Sequence, residues 1–262
     1  MDLVFKNCAN QNFKDSNDTS LKTLLGTLIS QSSVSKFYNS SSDNGGSAIN
    51  GLFQCRSDLS NDECANCVKN ISGLTQKLCG QSVRVRVQLK GCYMRYYEVS
   101  GFRQENVTEP LFNFCDSNRV SGNGVGDMLG LALGEIGKRV MNDVNGGLFY
   151  TGVYQSVYVL VQCEGDLSRG ECVRCVKSAI DKAKSECGSS ISAKIYLQEC
   201  FISYTYYPLL ATGKHFHRII GRNTQKIVAI VLGGRAIWGG DDNGLLFVHK
   251  ISFQGKAACL QD

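Results

Sequence analysis

The sequence predicts an α+β protein of two tandem disulfide-stapled domains, each with two helices packed on an antiparallel β-sheet. Three observations predict it: a cysteine spacing that occurs twice, helix-start signatures at matching positions, and strands that alternate apolar and polar residues. The 262 residues are enough for two domains, and 43% hydrophobic residues exclude a disordered chain. A net charge of +5 is too weak to predict nucleic acid as a partner.

Twelve of the 13 cysteines form two equivalent sets. From Cys55 to Cys92 the successive spacings are 9, 3, 12 and 13 residues, and the same spacings run from Cys163 to Cys200, 108 residues later. This repetition indicates a tandem duplication. The sets are Cys8, Cys55, Cys64, Cys67, Cys79, Cys92 and Cys115, Cys163, Cys172, Cys175, Cys187, Cys200. Cys259 stands outside them and is predicted to be a free thiol.

An even number of cysteines per unit of about 100 residues favours a structural disulfide framework in an oxidising compartment. Zinc is the first alternative, because Cys64–Cys67 and Cys172–Cys175 have a ligand-like gap, but no second such pair or paired histidine follows within a unit. A redox dithiol is the second alternative. Candidate glycosylation sites at Asn17, Asn39, Asn70 and Asn106 agree with secretion.

Two helices are predicted in each unit. Leucines at 21, 24, 25 and 28 with Ile29 form one apolar helical face, and its counterpart runs from about Asp127 to Val144. The second helix begins at Ser60 in one unit and Ser168 in the other. A glutamate follows three residues later in both, which is the pattern of a capping box.

A strand closes each predicted unit. Val83, Val85, Val87 and Leu89 alternate with Arg84, Arg86, Gln88 and Lys90, so we expect one face buried and the polar face exposed to solvent. The segment 191–198 repeats this alternation. Aromatic residues follow the last cysteine of each unit, and we expect the two units to pack through aromatic residues of their sheets.

No catalytic constellation is evident, so the sequence predicts neither an enzyme nor a cofactor or metal site. The first histidine is His215, which excludes a Ser-His-Asp set within the units. The glycine-rich segment 121–126 lacks the Gly-Lys-Ser/Thr ending of a phosphate loop and is interpreted as a loop before a helix.

The Cys-x8-Cys-x2-Cys pattern at Cys55/Cys64/Cys67 and Cys163/Cys172/Cys175 resembles the plant ginkbilobin-homologous (salt-stress-response/antifungal) domain over about residues 3–207. The segments 51–60 and 149–160 look most like the plasmodesmata-located proteins. These are type I membrane proteins with two such domains outside the cell. The resemblance implies the pairs Cys8–Cys79, Cys55–Cys64, Cys67–Cys92, Cys115–Cys187, Cys163–Cys172 and Cys175–Cys200.

The single-domain ginkbilobin relative binds mannose through an Asn, an Arg and a Glu. The matching positions are Ala9, Arg86 and Tyr97 in the first unit. In the second unit they are Asp116, Lys194 and Thr205. Only Arg86 keeps the family residue, so mannose binding by that site is not expected. Arg86 is interpreted as a solvated residue. Its alternative role is a glycan contact in a basic patch with Arg84 and Lys90, which would bind an acidic wall polysaccharide.

The predicted organisation is a first domain at 1–100, a linker at 101–111, a second domain at 112–208, a stalk at 209–226, a degenerate transmembrane-like segment at 227–248 and a tail at 249–262. Arg235, Asp241 and Asp242 interrupt the apolar segment, and residues 1–6 hold no apolar signal region. We expect a missing first exon and a misread intron boundary near Arg235. The alternative is a genuine non-secreted paralogue.

The resemblance implies a non-enzymatic extracellular interaction module at the plasmodesma and plasma membrane. Its role would be to regulate cell-to-cell trafficking through callose deposition. The expected partners are other membrane or cell-wall proteins, viral movement proteins, a cell-wall glycan and a second copy of the chain. One alternative is a secreted cysteine-rich repeat defence protein with lectin or antifungal activity, and another is a thiol oxidoreductase.

Overall fold

The computed structural model describes residues 2–13, 19–43, 48–101, 106–119 and 125–207. Within these ranges the chain forms two copies of one unit, in the order strand, helix, two strands, helix, two strands. We call them the first and the second repeat. Each is a five-stranded antiparallel sheet with two helices, which confirms the predicted fold class.

The first repeat has strand order β1-β4-β5-β3-β2, so its first strand pairs with its fourth. Its elements are β1 (Leu3–Cys8), α1 (Thr19–Gln31), β2 (Phe37–Ser42), β3 (Ile49–Cys55), α2 (Asn61–Cys79), β4 (Arg84–Leu89) and β5 (Cys92–Glu98).

The second repeat has the equivalent order β6-β9-β10-β8-β7. Its elements are β6 (Pro110–Cys115), α3 (Val125–Asn142), β7 (Phe149–Tyr154), β8 (Val157–Cys163), α4 (Arg169–Cys187), β9 (Ser192–Leu197) and β10 (Cys200–Tyr206). Pro110 is the first residue of β6, a strand position that proline tolerates, so the second sheet starts inside the segment predicted as a linker.

Both predicted capping boxes are present at the starts of α2 and α4. The Ser60 hydroxyl accepts a hydrogen bond from the Glu63 amide at 3.2 Å, and the Ser60 amide donates to the Glu63 carboxylate at 2.8 Å. Ser168 and Glu171 make the same pair of bonds. These bonds satisfy amide groups that the first turn of a helix leaves without partners, which fixes where each helix begins.

Each repeat has its own hydrophobic core between its helices and one face of its sheet. Leu24 and Leu28 of the predicted α1 stripe are fully buried, as are Ile136 and Val140 of α3. The predicted α3 helix ends at Asn142, two residues before the expected Val144, which is 82% exposed. The inward-facing side chains of β4, Val85, Val87 and Leu89, complete the first core.

Six disulfide bonds, three in each repeat, join strands of the sheet to the second helix of the repeat, α2 or α4. They link the same pairs that the family resemblance implies: Cys8–Cys79, Cys55–Cys64, Cys67–Cys92, Cys115–Cys187, Cys163–Cys172 and Cys175–Cys200. The bonds at Cys8 and Cys115 close loops with sequence separations of 71 and 72 residues, and such long loops restrict the unfolded chain most.

Two predictions about the strand at 83–90 are wrong. It is not the last strand of its repeat, because the aromatic-rich segment that follows forms β5 and pairs with it. Its polar face is not exposed throughout: Arg86 is 7% exposed and Gln88 is 5% exposed. The same holds for Tyr196 and Gln198 in and beside β9, which are both buried. The second repeat covers this face of the first, and alternation along a single strand gives no sign of such a cover.

Several predicted features lie outside the described residues. They are Asn17, Cys259, most of the glycine-rich segment 121–126, the stalk at 209–226, the transmembrane-like segment at 227–248 and the tail at 249–262. Of the helices in the described ranges, none combines the length and the apolar character needed to cross a bilayer.

Candidate functional site

The polar faces of the two sheets meet, and a small half-open cleft with a volume of about 30 Å³ lies where they meet. Both repeats contribute to its walls, through the ends of β3, β4 and β5 on one side and of β8, β9 and β10 on the other. A concave site between two units is the usual place for a ligand. This inter-repeat cleft is therefore the candidate functional site.

Two glutamines join the repeats by matching hydrogen bonds. The Gln54 side-chain amide donates to the Cys163 carbonyl and the Gln162 amide donates to the Cys55 carbonyl, both at 3.0 Å. Their side-chain oxygens accept from the Gly165 and Ser57 backbone amides at 3.2 and 3.3 Å. The two sets of bonds are related by an approximate two-fold axis, because each repeat offers the same groups to the other. All four groups of the two glutamine amides are thus used in holding the repeats together.

A charged cluster lies beside the glutamines on one side. Glu164 follows β8, is 2% exposed and accepts hydrogen bonds from the Tyr93 hydroxyl and the Arg95 guanidinium of β5. The Glu199 carboxylate is 4.0 Å from the same guanidinium. The Arg86 guanidinium lies 4.2 Å from the centre of the Tyr93 ring and donates to the Gln198 carbonyl at 2.8 Å. Each of these contacts except the one between Arg86 and the Tyr93 ring crosses from one repeat to the other.

Burial is the largest single influence on the pKa values of Glu164, Glu199 and Arg95 in this cluster. It raises the pKa of Glu164, although Arg95 and Arg86 oppose the shift. Burial, reinforced by the neighbouring Glu164 carboxylate, also raises the pKa of Glu199 to about 7. Burial lowers the pKa of Arg95, but the charges of Glu164, Tyr93, Glu199 and Asp166 together raise it by more. The Arg95 side chain therefore stays cationic and Glu164 is its buried counter-ion.

Aromatic rings extend the contact between the repeats, as the sequence predicted. Phe5 of β1 stacks on Phe112 of β6 with ring centres 5.7 Å apart, and it meets the Tyr196 ring edge-on at the same distance. Tyr196 in turn stacks on Phe201, with ring centres 5.3 Å apart. Packing of this kind adds to the stabilisation from buried apolar area.

The prediction that Arg86 is a solvated residue is wrong, because its side chain is buried. It lines the floor of the cleft under the cover of the second repeat, with a backbone carbonyl and an aromatic ring as neighbours. Its contact with a glycan stays a prediction. Arg84 and Lys90 lie on the same strand face but remain exposed, so the predicted basic patch of all three residues is interrupted at Arg86.

The predicted glycosylation sites within the described residues do not line the cleft, whereas the disulfide residues Cys55, Cys92, Cys163 and Cys200 do. Asn39, Asn70 and Asn106 have exposed side chains. The Asn39 amide is 3.4 Å from Asp166 of the second repeat. In the described ranges no group of three or more His, Cys, Asp or Glu residues lies close enough to hold a metal ion.

The sequence prediction missed the residues that build the cleft, chiefly Glu164, Tyr93, Arg95 and the two glutamines. A signal for the glutamines was present, because a Gln-Cys pair ends the third strand of both repeats at Gln54 and Gln162. The charged cluster had no such signal, since Glu164 corresponds to Arg56 and Arg95 to Ser203 in the duplicated sequence.

Comparison with known proteins shows to which family the chain belongs. The "Salt stress response/antifungal" family matches residues 6–99 and 127–207, which are the two repeats. Plasmodesmata-located protein 2 of Arabidopsis thaliana is 47% identical over 209 residues, or 79% of this chain and 67% of the relative. The chain belongs to the plasmodesmata-located protein family. Plasmodesmata-located protein 1 of the same plant is 41% identical over 261 residues, with 90% of this chain and 84% of the relative covered.

The family fold is also known from a solved structure. The tandem DUF26 ectodomain of the Arabidopsis thaliana cysteine-rich receptor-like protein PDLP5 has a TM-score of 0.67 at 23% identity, and the match covers 78% of this chain and 99% of that one. At this identity the likeness shows the fold alone. Both repeats fall inside the matched fold, so the plasmodesmata-located family uses the two-repeat unit described above.

Proposed function

We propose that the two repeats form the extracellular, non-enzymatic interaction module of a plasmodesma-associated type I membrane protein. This module regulates cell-to-cell trafficking through callose deposition and serves as a docking surface for viral movement proteins. The single observation that carries the proposal is the 47% identity to a plasmodesmata-located protein over 209 residues.

The described structure supports a role in binding. Six disulfides and two separate cores hold the repeats, and the buried glutamine and charge contacts fix one repeat against the other. A surface that is already ordered loses little conformational entropy when it binds a partner. The double unit therefore suits recognition of another protein or a glycan at the cell surface.

Localisation tests the proposal most directly. A fluorescent protein fused to the chain encoded by the full-length transcript should give punctate staining at the wall, coincident with aniline-blue-stained callose. Overproduction should reduce the spread of a free fluorescent protein from single transformed cells. Diffuse apoplastic or cytosolic fluorescence would contradict the proposal, and the apoplastic outcome would favour a secreted defence protein.

A matched pair of variants separates a specific effect from a loss of folding. Lys177 is exposed on α4, so Lys177→Gln should leave both localisation and trafficking unchanged. Replacing Cys67 and Cys92 by serine removes a bridge to the core and should retain the protein in the secretory pathway. If the bridge-deficient protein reached the wall and reduced trafficking as the wild type does, the ordered repeats would not be the active part.

A further inference from the structure

The six disulfide bonds differ in how far solvent reaches them. Four of them join cysteines that are each at most 5% exposed. In the bond Cys115–Cys187 one partner, Cys187, is 0% exposed. Cys8 and Cys79 are both partly exposed, so theirs is the one bond of the six in which neither cysteine is buried. An external thiol must reach a disulfide before exchange can occur, and this bond is the most accessible of the six.

An ammonium group lies beside the Cys8 sulfur. Lys6 and Cys8 are two residues apart in β1, so their side chains lie on the same face of the strand. The Lys6 ammonium donates to the Leu78 carbonyl at 2.5 Å, and the Cys8 sulfur is 3.9 Å from the same oxygen. A nearby cation stabilises a thiolate, which makes the Cys8 sulfur the better leaving group when the bond is attacked at Cys79.

The equivalent bond in the second repeat lacks both features. Asn113 takes the place of Lys6 in the strand, and its neutral amide donates to the Glu186 carboxylate. Because Cys187 is fully buried, an external thiol does not reach it in the folded protein. Attack at Cys115 would instead leave the negative charge on the buried Cys187 sulfur, where burial disfavours a thiolate.

We propose that Cys8–Cys79 is a thiol–disulfide exchange site, which an external dithiol reduces while the other five bonds stay closed. A thiolate of the dithiol attacks the Cys79 sulfur, the S–S bond breaks, and its electron pair leaves on the Cys8 sulfur beside the Lys6 ammonium. The second thiol of the reagent then displaces Cys79 from the mixed disulfide. The dithiol is thereby oxidised to a disulfide, and its two protons end on the thiols of Cys8 and Cys79.

This exchange acts on the contact between the repeats through β1. The strand lies at the edge of the first sheet with β4 as its neighbour, and its Phe5 ring contacts Phe112 and Tyr196 of the second repeat. The Cys8–Cys79 bond ties the end of β1 to the end of α2. Reduction removes this tie, so it weakens the hold of β1 on the second repeat.

Thiol trapping on the oxidised full chain tests the site. The folded protein is incubated with dithiothreitol for increasing times, free thiols are blocked with N-ethylmaleimide, and mass spectrometry of peptides locates the blocked cysteines. We expect Cys8 and Cys79 to be blocked at least roughly tenfold faster than Cys115 and Cys187. Equal rates for these two pairs, or earlier reduction of any other disulfide, would overturn the proposal.

Lys6→Gln tests the role of the ammonium group. Loss of the charge should slow the reduction of Cys8–Cys79 about threefold, whereas a strand that was merely loosened would be reduced faster. Lys6→Arg keeps the charge and should keep the wild-type rate. Lys69→Gln removes an exposed charge from α2 and is the matched control, which should also leave the rate unchanged. An unchanged or faster rate in Lys6→Gln would contradict the assigned role of Lys6.

The consequence for the repeat contact is measured on the trapped protein. Thermal unfolding should occur at a lower temperature when only Cys8–Cys79 is open, because the long loop that it closes is released. An unfolding temperature equal to that of the oxidised protein would show that the bond does not hold β1 in place. Thermal unfolding of each variant in its oxidised form verifies that it is folded.

Discussion

Glu164 is the buried carboxylate at the centre of the charged contact between the repeats, where it accepts hydrogen bonds from Tyr93 and Arg95. Its carboxylate is 1% exposed and meets a guanidinium that is 15% exposed. Two buried charges of this kind contribute little net stability as a pair, but either one alone is strongly unfavourable. The pair therefore favours the observed juxtaposition of the repeats over others.

Removal of the Glu164 charge should destabilise the folded protein. We expect Glu164→Gln to lower the free energy of unfolding by about 3 kcal/mol, because Arg95 would remain buried with only the more distant Glu199 carboxylate, 4.0 Å away, as a counter-ion. Urea unfolding monitored by circular dichroism measures the change. Glu135→Gln is the control, since it removes an exposed ion pair to Lys138 and should change stability by less than about 1 kcal/mol. If the two substitutions lowered the free energy of unfolding equally, the buried Glu164–Arg95 pair would contribute no more to stability than an exposed ion pair.

Glu199 should make stability depend on pH. Its pKa is about 7 in the folded protein against 4.5 for the ordinary group, so the folded state holds the proton more tightly. This contribution is complete below the lower pKa and is lost as the pH rises through about 7. We expect urea midpoints to fall from about pH 5 to pH 8 and the fall to be smaller in Glu199→Gln. If the urea midpoint of Glu199→Gln fell with pH as steeply as that of the wild type, a group other than Glu199 would cause the pH dependence.

Among the secondary-structure elements, α2 and α4 begin where their capping boxes place them. The serine and glutamate of each box satisfy one another's backbone groups, so a local sequence signal determines the boundary without help from tertiary structure. Most of the fold follows from such local signals and from the repeated cysteine spacing.

The cap of α4 can be tested alone. Ser168→Ala should lower the free energy of unfolding by about 1 kcal/mol, because the Glu171 amide loses its acceptor. Ser185→Ala, an exposed substitution inside the same helix, should be neutral or slightly stabilising, since alanine is the better helix former. Denaturant titration of both variants gives the comparison, and a loss in Ser185→Ala as large as in Ser168→Ala would argue against a capping role.

The polar faces of β4 and β9 show where prediction from the sequence stops. Alternation gives the inward residues Val85 and Val87 correctly, because a hydrophobic core selects them strongly. It cannot tell whether Arg86 faces water or a second repeat, since a long cationic side chain serves in both settings. The candidate site lies on that undetermined face. The fold was therefore far more predictable than the cleft.

On the scale of the whole molecule, duplication accounts for both the symmetry and the asymmetry of the repeat contact. A contact between two copies of one unit naturally uses the same groups from each, as the Gln54 and Gln162 amides still do. Once the copies were joined in one chain, each side could change independently. One side now holds the Glu164–Arg95 pair, while the other holds Arg56 and Lys194.

The glutamines should couple the repeats into one folding unit. Each substitution in Gln54→Ala/Gln162→Ala leaves a carbonyl of a buried cysteine without its donor, at a cost of about 1–3 kcal/mol. Differential scanning calorimetry of the oxidised full chain should show one transition for the wild type, with equal calorimetric and van't Hoff enthalpies, and two for the double variant.

A matched control is Gln76→Ala/Gln81→Ala, which removes two glutamines outside the repeat contact and should keep a single transition. Two transitions in the wild type would contradict the coupling, and so would a single unchanged transition in the Gln54→Ala/Gln162→Ala variant. Two transitions in the wild type would mean that the repeats unfold independently, whereas a single unchanged transition in the variant would mean that other contacts couple them. The order of the cleft would then depend on the aromatic cluster and the Glu164–Arg95 pair rather than on the glutamine bonds.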